Sequence, residues 1–366
     1  MIPFFDLSRQ HAAMGKALTD PVGKVLVSGC CVLGPEVQSL EADIAKVCGA
    51  SYAFGVSNGT DALAVALTAC GIGRHDEVVT TPFTFLATAS AIARIGAKPV
   101  FADVDPITLN IDPAAAESVC TRRTRALLPV HLFGLPCDLE SFVGIARSRG
   151  IRLLEDTAQA FGAVHSGKPL GSWGDAGCFS FYPTKVLGAA GDAGAIATSD
   201  LEIASHVQRL RVHGTGADGL HCDLGGNFRI DAIQAAVLRA KMPLFQGWLQ
   251  ARERHARAYQ EALAGTDFAL PADSPGRVWS QFCIRHPRRD DVRQFLLAKG
   301  IATAVYYPVS LHLQPCFSGL GYRSGDFPNA ELASREILAL PLFPELHDDE
   351  RDATIQALRE FDRGSR

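Results

Sequence analysis

The sequence predicts an α/β protein, with a large domain on a mostly parallel central sheet and a smaller C-terminal α/β domain behind it. Three observations lead there. Between residues 50 and 200, short β-prone runs alternate with runs of helical spacing, which is the pattern of βαβ units. The 366 residues exceed the size at which one hydrophobic core stops growing, so two domains are expected. A glycine-rich stretch over 213–229 then interrupts the alternation, and a charged helical run over 250–264 follows it.

The elements follow in order. After Pro35, the spacing of Val37, Leu40, Ile44 and Val47 predicts an amphipathic helix. A strand over 53–56 turns at Ser57-Asn58-Gly59-Thr60-Asp61 into an apolar core helix beginning near Ala62. Strands are expected over 77–80, 99–103, 126–130 and 151–155. A helix carrying Leu139, Phe142, Ile145 and Ala146 opens at a cap on Asp138. A β-type run over 177–181 breaks at Pro183, and glycines crowd 188–194. After the 213–229 loop, Asp231 opens a helix bearing Ile233, Val237 and Leu238. The domain boundary is placed there, giving 1–248 and 249–366. The second part reads as a strand (281–285), a helix (290–300), a strand (301–305), a proline-rich stretch and two further helices, with no internal repeat.

Composition narrows the function. Hydrophobic residues make up 47% and charged residues 20%, a mixture that folds. Thirty-five Lys and Arg against 39 Asp and Glu, without long runs of either sign, argue against nucleic acid or an anionic membrane as partner. The longest apolar stretch, over 62–73, is shorter than the roughly 20 residues a membrane helix needs. Ten scattered cysteines without a C-x-x-C spacing point to reduced thiols and away from zinc, so no metal is expected. The N-terminus lacks signal-peptide features, and the expected location is cytoplasmic.

Three motifs carry chemistry. At Gly59-Thr60-Asp61 a helix N-terminus offers backbone N–H groups and a hydroxyl to a phosphate, although the same residues also serve as ordinary caps. At 153–159 a buried strand ends in Glu155 and Asp156. Alternation sends them to opposite faces, so one can address a ligand at the strand ends, and periodicity leaves open which. Lys185 follows a buried-looking strand and sits among small and apolar residues, where loss of water would make it a nucleophile; Ser180 is a second phosphate donor.

Together with FFDLSRQ, VLGPEVQSLE, SNGTDALAVAL, PFTFLATASAI, GAKPVFADVD, PVHLFG, LLEDTAQAFGA, GDAGCFSFYPTK, GNFRIDAIQAAVL, YYPVSLHLQP and LALPLFPEL, these motifs resemble the DegT/DnrJ/EryC1/StrS family over nearly the whole chain. The resemblance implies the aspartate-aminotransferase fold (fold type I) and a pyridoxal-phosphate-dependent sugar aminotransferase. It implies that Lys185 forms the Schiff base and shuttles the proton, and that Asp156 pairs with the pyridine nitrogen. It further implies that Gln159 bonds the ring hydroxyl and Phe85 stacks on the ring. Gly59, Thr60, Asp61 and Ser180 would hold the phosphate, with Asn227 contributed from the other subunit of a homodimer with shared active sites. Tyr182, Arg229, Tyr306 and His312 match positions near the nucleotide-sugar, with a packed structural histidine as the alternative reading of His312. The implied reaction moves an amino group from L-glutamate to a UDP- or dTDP-linked keto-sugar. A keto-cyclitol aminotransferase, a lyase or aldolase on the same fold and a non-catalytic regulator are the alternatives. Val186 and Ala190 depart from the family's usual Asn and Tyr, and Lys185 itself disfavours the dehydratase branch, which carries histidine there.

Overall fold

The computed structural model describes residues 1–365. Its main sheet has seven strands: β1 (Tyr52–Val56), β2 (Glu77–Thr80), β3 (Lys98–Phe101), β4 (Thr124–Leu127), β5 (Arg152–Asp156), β6 (Ala176–Ser180) and β7 (Gly194–Thr198). They lie in the order β1-β7-β6-β5-β4-β2-β3. Every neighbouring pair from β6 to β3 is parallel, and β7 runs antiparallel to both β1 and β6. The mostly parallel sheet is therefore as expected.

Alternation along the strands splits the core into two layers. Phe54, Cys178 and Ile196 face one cluster with the helix Gly59–Ala69 and the helix Leu201–Leu210. Ala53, Phe179, Ala195 and Ala197 face the other, with the helices Pro35–Cys48 and Ala232–Lys241. Each fully buried Ile or Phe side chain among these stabilises the fold by about 1.5–3 kcal/mol relative to exposure. The helix over 35–48 follows the expected spacing: Pro35 fills the first helical position, Val37, Leu40 and Ile44 are buried, and Gly49 closes it in the left-handed conformation. Asp138 caps the next predicted helix by accepting from the N–H of Ser141.

The helix Phe245–Leu263 runs through the expected 248/249 division and packs on the C-terminal elements. There β8 (Phe282–Arg285) pairs antiparallel with β9 (Ile337–Leu340), over a core of Tyr259, Trp279, Leu358 and Phe361. Three sequence expectations change. β7 lies where only a glycine-rich stretch was read, and β9 lies between the two expected helices, which are Pro328–Glu336 and Asp348–Ser365. The strand expected over 301–305 is reduced to isolated bridges, Ile2 with Ile301 and Ala304 with Ala339. No helix among the described residues is long and apolar enough to cross a membrane.

Candidate active site

Parallel strands with right-handed connections leave their carboxyl ends open on one side, and ligands bind there. In this chain the residues that follow β1 and β2 and those that end β5 and β6 converge on one cavity of about 780 Å³. It is lined by Gly59, Thr60, Asp61, Phe85, Asp156, Gln159, Ser180, Tyr182, Lys185 and Tyr306 among the expected residues. A hollow of similar volume lies between the helices Phe245–Leu263 and Asp348–Ser365, but it is an open trough bordered by exposed Glu261, Arg359 and Arg363.

Asp156 and Glu155 separate as alternation requires. Glu155 is fully buried, accepts from the N–H groups of Gly171, Trp173 and Gly174, and meets His131 Nε2 at 3.3 Å. The N–H of Cys137 donates to His131 Nδ1, which puts the ring hydrogen on Nε2, facing Glu155. Asp156 faces the cavity, with Oδ2 accepting from Thr88 Oγ1 at 2.7 Å and Oδ1 from the N–H of Ala158 at 3.2 Å. Burial raises its pKa, while Thr88, Ala158, Lys185 and His131 pull the other way.

Lys185 stands on the turn after β6, held by its own N–H to the carbonyl of Tyr182. Loss of water lowers its pKa to about 8, against the raising field of Asp156. Its ammonium has no hydrogen-bond acceptor among the described residues, so it is a poised amine with its donors unspent.

The helix Gly59–Ala69 begins earlier than the sequence suggested and is capped by Asn58, whose Oδ1 accepts from the N–H of Asp61 at 2.9 Å. The Asp61 N–H expected at a phosphate is therefore already engaged, whereas those of Gly59 and Thr60 have no acceptor among the described residues. A Cβ at Gly59 would stand 2.7 Å from the Cβ of Ser180, so only glycine lets the helix start and the end of β6 close into one cradle. That cradle, a buried carboxylate and a desolvated lysine fit pyridoxal phosphate, whose phosphate, ring nitrogen and carbonyl carbon need these three partners.

Three expected residues do not line this cavity. Asn227 and Arg229 lie on an extended segment bridged to Val212 and to Val56, outside the pocket of their own chain. His312, expected near the sugar nucleotide, is buried, pairs through Nε2 with Glu331 at 3.1 Å and packs edge-on against Phe327 at 4.7 Å, while its Nδ1 has no partner among the described residues. The sequence reading missed Thr88, which bonds Asp156, and Tyr307, whose hydroxyl meets Gln159 Nε2 at 3.0 Å. The only signal for Thr88 was a Thr84/Thr88 pair one helical turn apart in an apolar run.

A fold of this topology with a lysine and a carboxylate at the strand ends defines a cofactor-dependent group-transfer enzyme of the α/β class. The chain belongs to the DegT/DnrJ/EryC1/StrS aminotransferase family, whose model matches residues 13–359. It is 45% identical to a pleiotropic regulatory protein of Geobacillus stearothermophilus, over 98% of either chain. It is 42% identical to the UDP-N-acetyl-3-dehydro-alpha-D-glucosamine 3-aminotransferase of Acidithiobacillus ferrooxidans, over 97% of this chain and 96% of that one. Among solved structures, DesV of S. venezuelae in complex with a ketimine intermediate superposes with a TM-score of 0.96 at 39% identity, over 99% of this chain and 98% of that one.

Proposed function

We propose that this protein is a pyridoxal-phosphate-dependent aminotransferase that carries nitrogen from L-glutamate to a nucleotide-linked keto-sugar, as a homodimer. The observation that carries the reading is the convergence of Lys185 and Asp156 on one cavity beside the unclaimed N–H groups of Gly59 and Thr60. Relatives that act on UDP- and dTDP-linked sugars, matched over nearly their whole length, support the substrate class.

When bound, pyridoxal phosphate supplies an electron sink for the bonding pair left when a proton departs the carbon bearing nitrogen. The protein supplies the rest. Lys185 Nζ, with its pKa lowered to about 8, would hold the cofactor's carbonyl carbon and could move a substrate proton. Asp156, oriented by Thr88 and Ala158, would keep the ring nitrogen protonated. Gly59, Thr60 and Ser180 would hold the phosphate, and Phe85 would offer an aromatic face to the ring. Tyr182 and Tyr306, at the mouth, meet the sugar nucleotide.

In a homodimer the partner could cover apolar side chains left in water, such as Leu224 on the 213–229 loop and Val27. Exposed Asn227 and half-buried Arg229 would then serve the neighbouring site. A regulatory role has one observation in its favour, the description of the Geobacillus relative. Incubation of the purified protein with L-glutamate and a panel of UDP- and dTDP-linked keto-sugars should give 2-oxoglutarate and an amino sugar in equal amounts. A protein that binds pyridoxal phosphate on Lys185 but turns over none of these, keto-cyclitols included, is a sensor and not this enzyme.

A further inference from the structure

Gln159 is held at both ends of its amide. Its Oε1 accepts from the N–H of Phe133 at 2.8 Å, and its Nε2 donates to the Tyr307 hydroxyl at 3.0 Å. A backbone N–H can only donate, so the atom facing it is oxygen and the amide cannot flip. One of the two hydrogens on Nε2 goes to Tyr307, and the other is left for the cavity that Gln159 lines.

Both anchors are themselves fixed. Phe133 adopts φ +54, a left-handed conformation uncommon outside glycine, and Gly134 follows at φ +84. A Cβ at Gly134 would stand 1.8 Å from the carbonyl oxygen of Val278. The N–H of Val278 donates to Gly134 O at 3.1 Å, and buried Arg277 donates to Phe133 O at 3.2 Å. Tyr307 packs against Phe83 and Phe85, with ring centroids at 6.1 and 6.3 Å. Burial pushes its phenol well above the ordinary value and keeps it protonated, yet its hydrogen has no acceptor among the described residues.

We propose that Tyr307 is a positioning residue for amino transfer: its hydroxyl and the N–H of Phe133 lock the Gln159 amide so that its remaining N–H addresses the phenolic oxygen of the cofactor ring. The inference rests on the pyridoxal-phosphate reading. A hydrogen bond to that oxygen stabilises its negative form, so the acid–base midpoint of the bound cofactor depends on how well Gln159 is aimed. Removing the phenol leaves the amide one anchor, free to swing.

The test is a pH titration of the visible absorption band of the bound cofactor. In Tyr307→Phe, which keeps the ring packing, the midpoint should rise by about half a pH unit, the worth of one neutral hydrogen bond. Gln159→Leu should raise it at least as far, and adding Tyr307→Phe to Gln159→Leu should change nothing more. An unmoved midpoint in Tyr307→Phe overturns the proposal, as does an unmoved midpoint in Gln159→Leu. Equal shifts from the Tyr307 change in both backgrounds also overturn it, since the hydroxyl would then act independently of Gln159. If the unaltered protein binds no pyridoxal phosphate, or borohydride fixes it to another lysine, the functional reading has failed and not this refinement of it.

Discussion

The wall of the cavity and the layer directly behind it each contain a lysine and a carboxylate and use them in opposite ways. In the wall, Lys185 and Asp156 face open space. Behind it, Lys241 is fully buried with Nζ donating to Gly188 O at 2.8 Å, on the turn that carries Lys185, and Glu155 accepts three backbone N–H groups. Loss of water brings both lysines to about pKa 8. Desolvation alone thus does not mark the nucleophile. What separates the two is whether the ammonium's hydrogen bonds have been spent; the neighbouring carboxylates differ in degree, Glu155 holding three backbone N–H groups and His131 where Asp156 accepts from Thr88 and Ala158.

That contrast can be attacked by matched substitutions. Lys185→Ala should reduce amino transfer from L-glutamate by roughly 10³-fold or more, because the proton shuttle is gone, and reduction with borohydride should then label no lysine. Labelling of Lys241 would reverse the assignment. Asp156→Asn should lower turnover by roughly 10²-fold while much of the cofactor stays bound, since the phosphate cradle is untouched. Near-normal rates would show that something other than Asp156 serves the ring nitrogen.

Lys241→Met should leave cofactor attachment intact and show itself mainly in stability. A lysine depressed from 10.5 to about 8 binds its proton more weakly in the folded than in the unfolded chain. Between those values the unfolded state carries more protons, so stability climbs as pH rises from about 8 to 10.5 and is flat with respect to this group below. The shift corresponds to about 3 kcal/mol at most. Urea midpoints at pH 7.5 and 10 should therefore differ less in the Met variant than in the unaltered apoprotein; an identical difference would mean that Lys241 is not depressed. Smallest in its effect on catalysis is Glu155→Gln. It turns an amide against backbone donors and should cost about 1–3 kcal/mol of stability, with turnover per bound cofactor close to normal. A turnover loss matching that of Asp156→Asn would erase the distinction between wall and backing.

Strands whose sides are both covered were legible in the sequence, because β2 and β5 carry paired apolar residues at their centres, Val78-Val79 and Leu153-Leu154, between helical runs. β7 was not: Gly194-Ala195-Ile196-Ala197-Thr198 follows a glycine cluster, and small residues there serve close packing between β1 and β6. β9 adjoins the end of the helix Pro328–Glu336 without a turn signal. Within the site, Lys185 and Asp156 stood out as charges in apolar runs. Thr88 and Tyr307 did not, because a hydroxyl in an apolar run reads as core until its partner, 68 or 148 residues away, is known. For His312 the missing information was of the same kind, as nothing local disclosed that Glu331 would pair with its Nε2.

The parallel register that sets Asp156 opposite Cys178 ties the spacing of acid and amine to the sheet itself, since Lys185 stands on the turn into which β6 runs. Retargeting such an enzyme is then a problem of upholstery and not of framework. A mutagenesis library confined to Tyr182, Gln281 and Tyr306 at the mouth, with Arg94 on the opposite rim, would vary what enters without moving the reacting groups. Insertions or deletions within residues 152–185 would instead shift acid against amine and should be left out of any such design.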